Sequence, residues 1–424
     1  MLLIKNGTVI DPRSDFCGRA DVLINNGRVV KIGECNDVNG ECEIIDAEGM
    51  TVAPGLIDVH VHFRDPGFTY KEDIYTGAKA ALKGGFTSVV LMANTKPPVD
   101  NVETLKYVLK KGQETDLNIY TCANVTKGMR GAELTDMDAL FGAGAVGFTD
   151  DGVPITDENL LRAALKKAKE LNVPISLHEE NPKLIENNGV NRGKASEFYN
   201  IGGSPSEAEI DMIARDLRLA LETGASMDIQ HISTKEGVEL VRRAKRENPD
   251  IIHAEATPHH FTLTEDAVIK HGTLAKMNPP LRTEGDRLAI IDGLKDGTID
   301  MIATDHAPHS AEEKARGITE APSGIIGLET ALALGVTSLV KEGHITLTEL
   351  IRLMSSNPAE VYNLDGGQIK AGERADIVIF NADEKHTAGN YASKSSNSPF
   401  TGMTLTGTVH YTIVGGKICY KKEL

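Results

Sequence analysis

Short apolar segments alternate with longer amphipathic runs through the middle of the chain, and this alternation limits the possible folds most. Eight segments have the length and apolar content of buried strands, at residues 56–62, 87–92, 118–122, 145–149, 174–178, 227–231, 251–255 and 299–304. Between several of them, as in 160–171 and 210–221, apolar side chains recur at helical spacing. Repeated strand–helix units predict an α/β fold, a (β/α)8 TIM-type barrel over residues 54–360. The alternative is an open doubly wound sheet, but no Gly-rich dinucleotide loop follows the first strand.

The two ends of the chain share a different pattern. Residues 1–53 contain short apolar runs separated by turns such as Asn26-Gly27, a strong hairpin signal. Residues 361–424 repeat this pattern around 375–380 and 411–418. Each end is too short to form a well-covered sheet alone. We therefore expect both ends to pair into one small β-sandwich domain, with the barrel inserted between them.

Charge and composition exclude several classes of partner. The formal net charge of −16 repels nucleic acid phosphates and anionic membrane surfaces. No apolar stretch reaches the roughly 18 residues that span a bilayer, and the N-terminus lacks the pattern of a secretory signal. The five cysteines are an odd number without a CxxC pair, as expected for reduced thiols. We expect a cytoplasmic protein with no nucleic acid or membrane partner.

Polar residues interrupt the predicted strands at one place, their C-terminal ends. The side chains concerned are His60, His62, Asp150, Asp151, His178, His231 and Asp305. In a barrel these strand ends converge on one mouth, where active sites lie. The sequence therefore predicts that distant residues meet around a single point.

His60 and His62 lie on one face of their strand because side chains alternate with period two. Two such imidazoles suit a divalent ion such as zinc, although an isolated pair is as readily explained by core or surface histidines. Four histidines and the aspartates exceed the needs of one tetrahedral ion, which favours a two-metal site bridged by a carboxylate. Asp150 and Asp151 are adjacent and chemically identical, so this reasoning leaves both open as the bridge.

Three motifs carry a family resemblance. Residues 54–67, PGLIDVHVHFRDPG, resemble the signature that opens the barrel of the amidohydrolase superfamily. Together with MNPPLR at 277–282 and ATDHAPH at 303–309, they are similar to the dihydroorotase family over nearly the whole chain. The HxH pair is shared across the superfamily, whereas the combination is much more specific.

The resemblance implies two zinc ions. One would be held by His60, His62 and Asp305, and the other by His178 and His231, with Asp151 bridging. Many superfamily members use a carboxylated lysine as the bridge, but the strand-four segment has no lysine. Residues 148–152 instead resemble the bacterial subgroup that uses the second aspartate, which selects Asp151 by analogy only.

The implied reaction is the reversible cyclisation of N-carbamoyl-L-aspartate to dihydroorotate in pyrimidine biosynthesis. A hydroxide between the two ions would be the nucleophile, since bound zinc lowers the pKa of water towards neutrality. Asp305 would act as general acid and base. A homodimer is a further expectation from the family.

An anionic substrate requires cationic or amide-bearing contacts. Arg64 can bind its carboxylate bidentately, although such a residue could also form a surface salt bridge. The resemblance adds further substrate contacts at His62, Asn94, Asn278, His309, Ser323 and Gly324. Ser323 departs from the family pattern, which commonly has Phe there, so we expect an altered pocket over the ring. Residue-level alternatives are a turn role for Asn94 and a loop role for His309.

Two other functions remain as alternatives. Hydantoinases, dihydropyrimidinases and allantoinases share the barrel and metals, but they usually use the bridging lysine and act on neutral rings. A non-catalytic scaffold paralogue would typically have lost ligands, whereas all six positions here carry residues able to bind metal. The adjacent His259 and His260 are expected to be structural rather than ligands.

Overall fold

The computed structural model describes residues 1–35 and 41–423. Its strands are β1 Leu2–Lys5, β2 Thr8–Asp11, β3 Phe16–Arg19, β4 Asp21–Asn25, β5 Arg28–Gly33, β6 Glu43–Asp46, β7 Thr51–Pro54, β8 Leu56–Val61, β9 Phe86–Leu91, β10 Asn118–Thr121, β11 Ile175–Leu177, β12 Met227–Ile229, β13 Ile252–Ala256, β14 Met301–Ile302, β15 Ile377–Thr387, β16 Thr404–Val414 and β17 Lys417–Lys421. Its α-helices are α1 Ile74–Lys83, α2 Val102–Gly112, α3 Met137–Gly142, α4 Glu158–Leu171, α5 Lys194–Tyr199, α6 Ser206–Thr223, α7 Lys235–Glu247, α8 Pro258–Thr262, α9 Asp266–His271, α10 Glu284–Lys295, α11 Ala311–Lys314, α12 Ala331–Gly335, α13 Leu347–Ile351 and α14 Asn357–Val361.

The middle of the chain forms the predicted barrel. Strands β8, β9 and β10 pair in parallel, and so do β11, β12, β13 and β14. Phe148 joins the two sheets through parallel bridges to Ala123 and Ile175, and Val61 closes the ring through a parallel bridge to His306. The fourth strand, predicted over 145–149, is therefore reduced to this one bridging residue.

The local sequence explains these elements. Every residue of β8 and β9 is buried, as expected for parallel strands covered by helices on one side and barrel interior on the other. Both predicted amphipathic runs are helical, as α4 and α6. The side chain of Asp157 caps α4 by accepting from the backbone amides of Asn159 and Leu160. Gly224, at φ 67°, ends α6 in the left-handed conformation that glycine adopts most easily.

The two ends of the chain share a sheet, as expected. Its order is β17-β16-β15-β7-β2-β3, and the join is the antiparallel pair of β7 with β15, in which Pro54 lies opposite Ile377. A second sheet, β5-β4-β1-β6, supplies Val22 and Ile24 to an apolar cluster that also contains Ile377 and Ile413. Residues 36–40 of the predicted N-terminal β segment lie outside the described residues. Because β7 leads directly into β8, the small domain anchors the first barrel strand.

Within residues 1–35 and 41–423, no helix has the length and apolar character needed to cross a membrane.

Candidate metal centre

The six predicted ligands all lie at the carboxyl ends of barrel strands and are buried. His60 is within β8 and His62 directly follows it, while the others come just after Phe148, β11, β12 and β14. Their nitrogen and oxygen atoms form two groups in which all potential ligand atoms lie within 4.8 Å of one another. The groups are His60, His62 and Asp151, and Asp151, His178 and His231. Asp151 thus belongs to both.

The first group also contacts Asp305. Nε2 of His60 lies 3.6 Å from both Asp151 Oδ1 and Asp305 Oδ1. Nε2 of His62 lies 3.0 Å from Asp305 Oδ1 and 3.5 Å from Asp151 Oδ2. His60 Nε2 is buried and has no hydrogen-bond partner among the described residues. Two imidazole nitrogens and two carboxylates therefore converge on one small volume.

The second group brings two imidazole rings face to edge. Nδ1 of His178 and Nε2 of His231 are 3.0 Å apart, and they lie 4.0 and 3.9 Å from Asp151 Oδ1. Two neutral rings can present lone pairs to each other at this distance only if a proton or a cation lies between them. This geometry suits a shared metal ion.

The electrostatics of the cluster favour a cation at its centre. Although burial opposes the shift, His60 and His62 hold the pKa of Asp151 well below its usual range, so this carboxylate stays ionised. Burial and the neighbouring His178 lower the pKa of His231 well below the usual value, which keeps this ring neutral. Although burial opposes the shift, Glu255 and Asp151 raise the pKa of His60, and Glu180 raises that of His178, so the negative charge around these two rings attracts positive charge. Neutral imidazole and ionised carboxylate are the forms that bind a divalent metal, and a bound metal would replace the protons on these rings. The donor set therefore fits such ions.

Three of the imidazole rings are oriented by hydrogen bonds from the ring nitrogen that points away from the centre of the cluster. The outer nitrogens donate to oxygen atoms behind them: His60 Nδ1 to Glu255 Oε2 at 3.0 Å, His62 Nδ1 to Asn94 Oδ1 at 3.0 Å, and His178 Nε2 to Glu180 Oε2 at 3.2 Å. Such partners fix the tautomer and raise the basicity of the inner nitrogen. Sequence reasoning missed Glu255 and Glu180. The available signal was a carboxylate inside a predicted strand and another carboxylate two residues after a predicted ligand.

The structure distinguishes the two adjacent aspartates. Asp150 points away from the cluster and accepts from the backbone amides of Val125 and Thr126 at 3.0 and 3.2 Å and from Asn124 Nδ2 at 3.2 Å. Asp151 is the one whose carboxylate meets the histidines. Asp150 thus anchors a loop, and Asp151 occupies the central position.

Three residues at the mouth have backbone conformations that are unfavourable for any residue except glycine. The φ angles of Arg64, His231 and Asp305 are 58°, 32° and 46°. Such conformations cost on the order of 1–3 kcal/mol each and tend to persist at functional sites. Here they aim a guanidinium, an imidazole and a carboxylate into the same space.

Arg64 and His309 both lie at the mouth of the barrel. Arg64 donates from Nε to the carbonyl of Pro308 at 3.3 Å, and no acidic side chain of the described residues forms an ion pair with it. His309 donates from Nε2 to the carbonyl of Ser323 at 2.8 Å and accepts at Nδ1 from Lys71 at 3.2 Å. Burial and the Arg64 charge lower the pKa of His309, which keeps the ring neutral. Since both its nitrogens are engaged, contact with a substrate would replace one of these bonds.

The two predicted asparagines contact metal-ligand candidates. Asn94 Nδ2 donates to Asp151 Oδ2 at 2.9 Å, so this amide links Asp151 to His62 in addition to any substrate role. Asn278 Nδ2 lies 3.2 Å from His178 Nε2, and its Oδ1 is buried without a partner among the described residues. That oxygen is free to accept from a ligand in the mouth.

Ser323 and Gly324 fit tightly beside His309. A Cβ on Gly189 would come within 2.2 Å of Ser323 Oγ, so a neighbouring turn fills the space that a larger side chain would need. Gly324 has φ 117°, and a Cβ there would lie 2.6 Å from the Cβ of Ala307. The turn at Gly189 thus packs directly on Ser323, and only glycine fits at 324.

His260 has a structural position, in agreement with the expectation. Its Nε2 donates to the carbonyl of Pro279 at 3.0 Å, and its Nδ1 lies 2.8 Å from Thr257 Oγ1. Burial lowers the pKa of His260 to about 4. The ring supports the chain next to Asn278.

Comparisons with known proteins agree with this geometry. Residues 51–419 match the model of the amidohydrolase family. A dihydroorotase of Clostridioides difficile is 56% identical over 420 residues, 99% of this chain and 100% of the relative. One of Clostridium acetobutylicum is 54% identical over 425 residues, 100% of both chains.

Solved structures give the same architecture. An L-hydantoinase (dihydropyrimidinase) from Arthrobacter aurescens superposes with a TM-score of 0.89 at 26% identity, covering 100% of this chain and 96% of that one. A D-hydantoinase from a Bacillus species, AR9, gives 0.85 at 26% identity, with 99% and 95% covered. The chain belongs to the amidohydrolase family and, within it, to the dihydroorotases.

Proposed function

We propose that this protein is a metal-dependent dihydroorotase, which interconverts N-carbamoyl-L-aspartate and dihydroorotate. The observation that carries this proposal is the meeting, at one barrel mouth, of a buried His/Asp cluster and the guanidinium of Arg64, which has no acidic partner among the described residues. A metal held by the cluster would promote hydrolysis of a cyclic amide, and the guanidinium can bind a carboxylate on the same substrate. Full-length relatives at 54–56% identity carry the same name.

We assign two divalent ions, with zinc as the proposed metal. His60, His62 and Asp305 would hold one, His178 and His231 the other, and Asp151 would bridge them. Bound zinc supplies a Lewis acid for the amide carbonyl and lowers the pKa of water. The ligand types also suit manganese or cobalt, so metal analysis is part of the test.

Asp305 is the group that we assign to proton transfer. Its Oδ1 lies 3.0 Å from His62 Nε2 and 3.6 Å from His60 Nε2, so it borders the place where the scissile amide would sit. In hydrolysis its carboxylate would accept the proton of the attacking water and donate it to the departing ring nitrogen. In cyclisation the same proton would travel in reverse.

The substrate carboxylate would be bound by Arg64, with His309 and Asn94 beside it. Asn278 Oδ1 would accept from a ring N–H, because it is a buried oxygen that lacks a partner among the described residues. The backbone of Gly324 would contact the ring. A hydantoinase-type activity is supported only by more distant structures, and its neutral ring would leave the Arg64 charge unpaired.

The proposed setting is cytoplasmic, with a small-molecule substrate and a homodimeric assembly. All five cysteines are free thiols in the described structure, which suits a reducing compartment. Size-exclusion chromatography with light scattering tests the dimer directly.

The activity assay uses purified protein with its metal content measured. We expect turnover of dihydroorotate and N-carbamoyl-L-aspartate, and little with hydantoin or allantoin. Preference for a neutral ring would favour the hydantoinase-type alternative. An empty site that stays inactive after zinc addition would favour a scaffold.

A further inference from the structure

The segment 321–324 lies against His309, and each of its four carbonyls accepts a hydrogen bond from a side chain elsewhere in the chain. The bonds are Lys276 Nζ to Ala321 at 2.7 Å, Lys314 Nζ to Pro322 and Gly324 at 2.9 Å each, His309 Nε2 to Ser323 at 2.8 Å, and Asn397 Nδ2 to Gly324 at 3.1 Å. The four donor residues are all buried. This set of bonds fixes the segment in one conformation.

Two of these donors are lysines whose hydrogen-bond acceptors, within the described residues, are backbone carbonyls. Lys276 and Lys314 are 5% and 4% exposed, and neither forms an ion pair within the described parts of the chain. Burial lowers the pKa of Lys314 to about 7 and also lowers that of Lys276. A buried ammonium with only carbonyl partners costs more stability than an apolar side chain of the same length. Fold stability alone therefore does not explain why two of them are present.

Their charges lie on the side of the mouth where an anion is expected. Lys314 Nζ donates to the carbonyls on either side of Ser323, whose own carbonyl accepts from His309 Nε2. On the other side of the ring, Lys71 Nζ lies 3.2 Å from His309 Nδ1 and pairs with Glu313 at 2.9 Å. Lys276 is in turn close enough to Lys314 to lower its pKa. The chain as a whole has a net charge of −16, so this cationic group is a local feature. A carboxylate-bearing ligand would find complementary charge here.

We propose that Lys276 and Lys314 are positioning and specificity residues for the anionic substrate. Through the carbonyls of segment 321–324 they hold that segment and His309 in place, and in their protonated form they favour a ring that carries a carboxylate over one that does not. Neither lysine touches the reacting atoms. This inference rests on the proposed dihydroorotase function.

The test compares Lys314→Met and Lys276→Met with the wild type, all metal-loaded. Lys245→Met controls for the loss of a partly buried lysine away from the mouth, because Lys245 donates to the carbonyl of Gly297 at 3.1 Å and pairs with Asp300 at 2.5 Å at the opposite end of the barrel. Calorimetry measures binding of orotate, which has the carboxylate, and of dihydrouracil, which lacks it. Kinetics with dihydroorotate separate KM from kcat.

We expect each mouth variant to weaken orotate binding and raise KM by about tenfold, with kcat and dihydrouracil binding changed by less than about threefold. Lys245→Met should match the wild type in the binding of both ligands and in KM and kcat. Equal losses of affinity for both ligands, or no loss, would overturn the proposal.

If Lys314→Met does not fold, Lys276→Met decides, and failure of both to fold would make the lysines structural and refute the specificity role. Wild type that binds orotate selectively but turns over no dihydroorotate would refute the proposed function, while the binding comparison would still decide the role of the lysines.

Discussion

Asp150 and Asp151 are adjacent, identical in chemistry and both buried, so exchanging each for alanine separates metal binding from folding. Asp151 meets the histidines of both ligand groups, whereas Asp150 is directed at the loop 124–126. We expect Asp151→Ala to lose metal and keep its fold. We expect Asp150→Ala to lose stability and, when folded, keep its metal.

The magnitudes follow from the contacts. Asp150 accepts from two backbone amides, an amide side chain and the hydroxyl of Thr126. Hydrogen bonds to a charged group contribute roughly 1.5–3 kcal/mol each, and partial relaxation of the loop reduces their sum, so we expect a loss of about 3–5 kcal/mol. Loss of an outer partner of a metal ligand costs about 10–100-fold in affinity, so loss of the bridging ligand itself should exceed about 100-fold.

The assay measures metal per chain after dialysis, cyclisation rate, and urea unfolding for both variants. Asp151→Ala should bind fewer than two ions and lose cyclisation, with an unfolding midpoint near that of the metal-depleted wild type. Two ions retained in Asp151→Ala, together with metal loss in Asp150→Ala, would refute the reasoning and move the bridge to Asp150.

Three further changes test other parts of the site. Arg64→Met should raise KM for dihydroorotate by about 100-fold or more through loss of a charge-assisted pair, with metal content unchanged; an unaltered KM would contradict its role. Glu255→Gln should weaken metal binding by about 10–100-fold in a chelator competition, because His60 loses its charged partner; equal affinity would argue against that contact. His260 has a folded pKa of about 4, below the ordinary value of 6.5, so its neutral form contributes stability that is present above pH 6.5 and lost as the pH falls towards 4. Between these pH values the free energy of unfolding of the wild type, measured with urea, should therefore fall by about 3 kcal/mol more than that of His260→Asn. Identical pH profiles for the two proteins would contradict this prediction.

The convergence of the six candidate ligands could be predicted from the sequence because it depends on topology. Once alternating segments indicate a parallel barrel, the carboxyl end of every strand is at the mouth, and His178 and His231 must approach His60 whatever the loop geometry. The outer partners were not predictable in this way. Glu255, for example, is separated from His60 by most of the barrel sequence, and their contact depends on which side chains of the two strands face each other.

The choice between the two adjacent aspartates shows where prediction from sequence patterns ends. Choosing between Asp150 and Asp151 requires the register of the fourth strand, and that strand is a single bridging residue, Phe148, followed directly by a turn. Period-two alternation does not extend through a turn, so the direction of each carboxylate is set by tertiary contacts. Lys276 and Lys314 are a second case, since lysines between polar residues are ordinarily solvated and only the packed structure buries them.

Closure of the barrel and assembly of the site are the same structural event. The bridge between Val61 and His306, and the hydrogen bond from the His62 amide to the His306 carbonyl at 2.9 Å, join the first strand to the last. The residues next to this seam are His62 and Asp305, whose side chains meet at 3.0 Å. The left-handed φ of Asp305 therefore occurs where the ring closes, and barrel closure also holds the carboxylate of Asp305, the proposed proton-transfer group, against His62, a proposed metal ligand. An open form of the barrel would lack both the seam and the first ligand group, so metal binding should stabilise the closed ring directly.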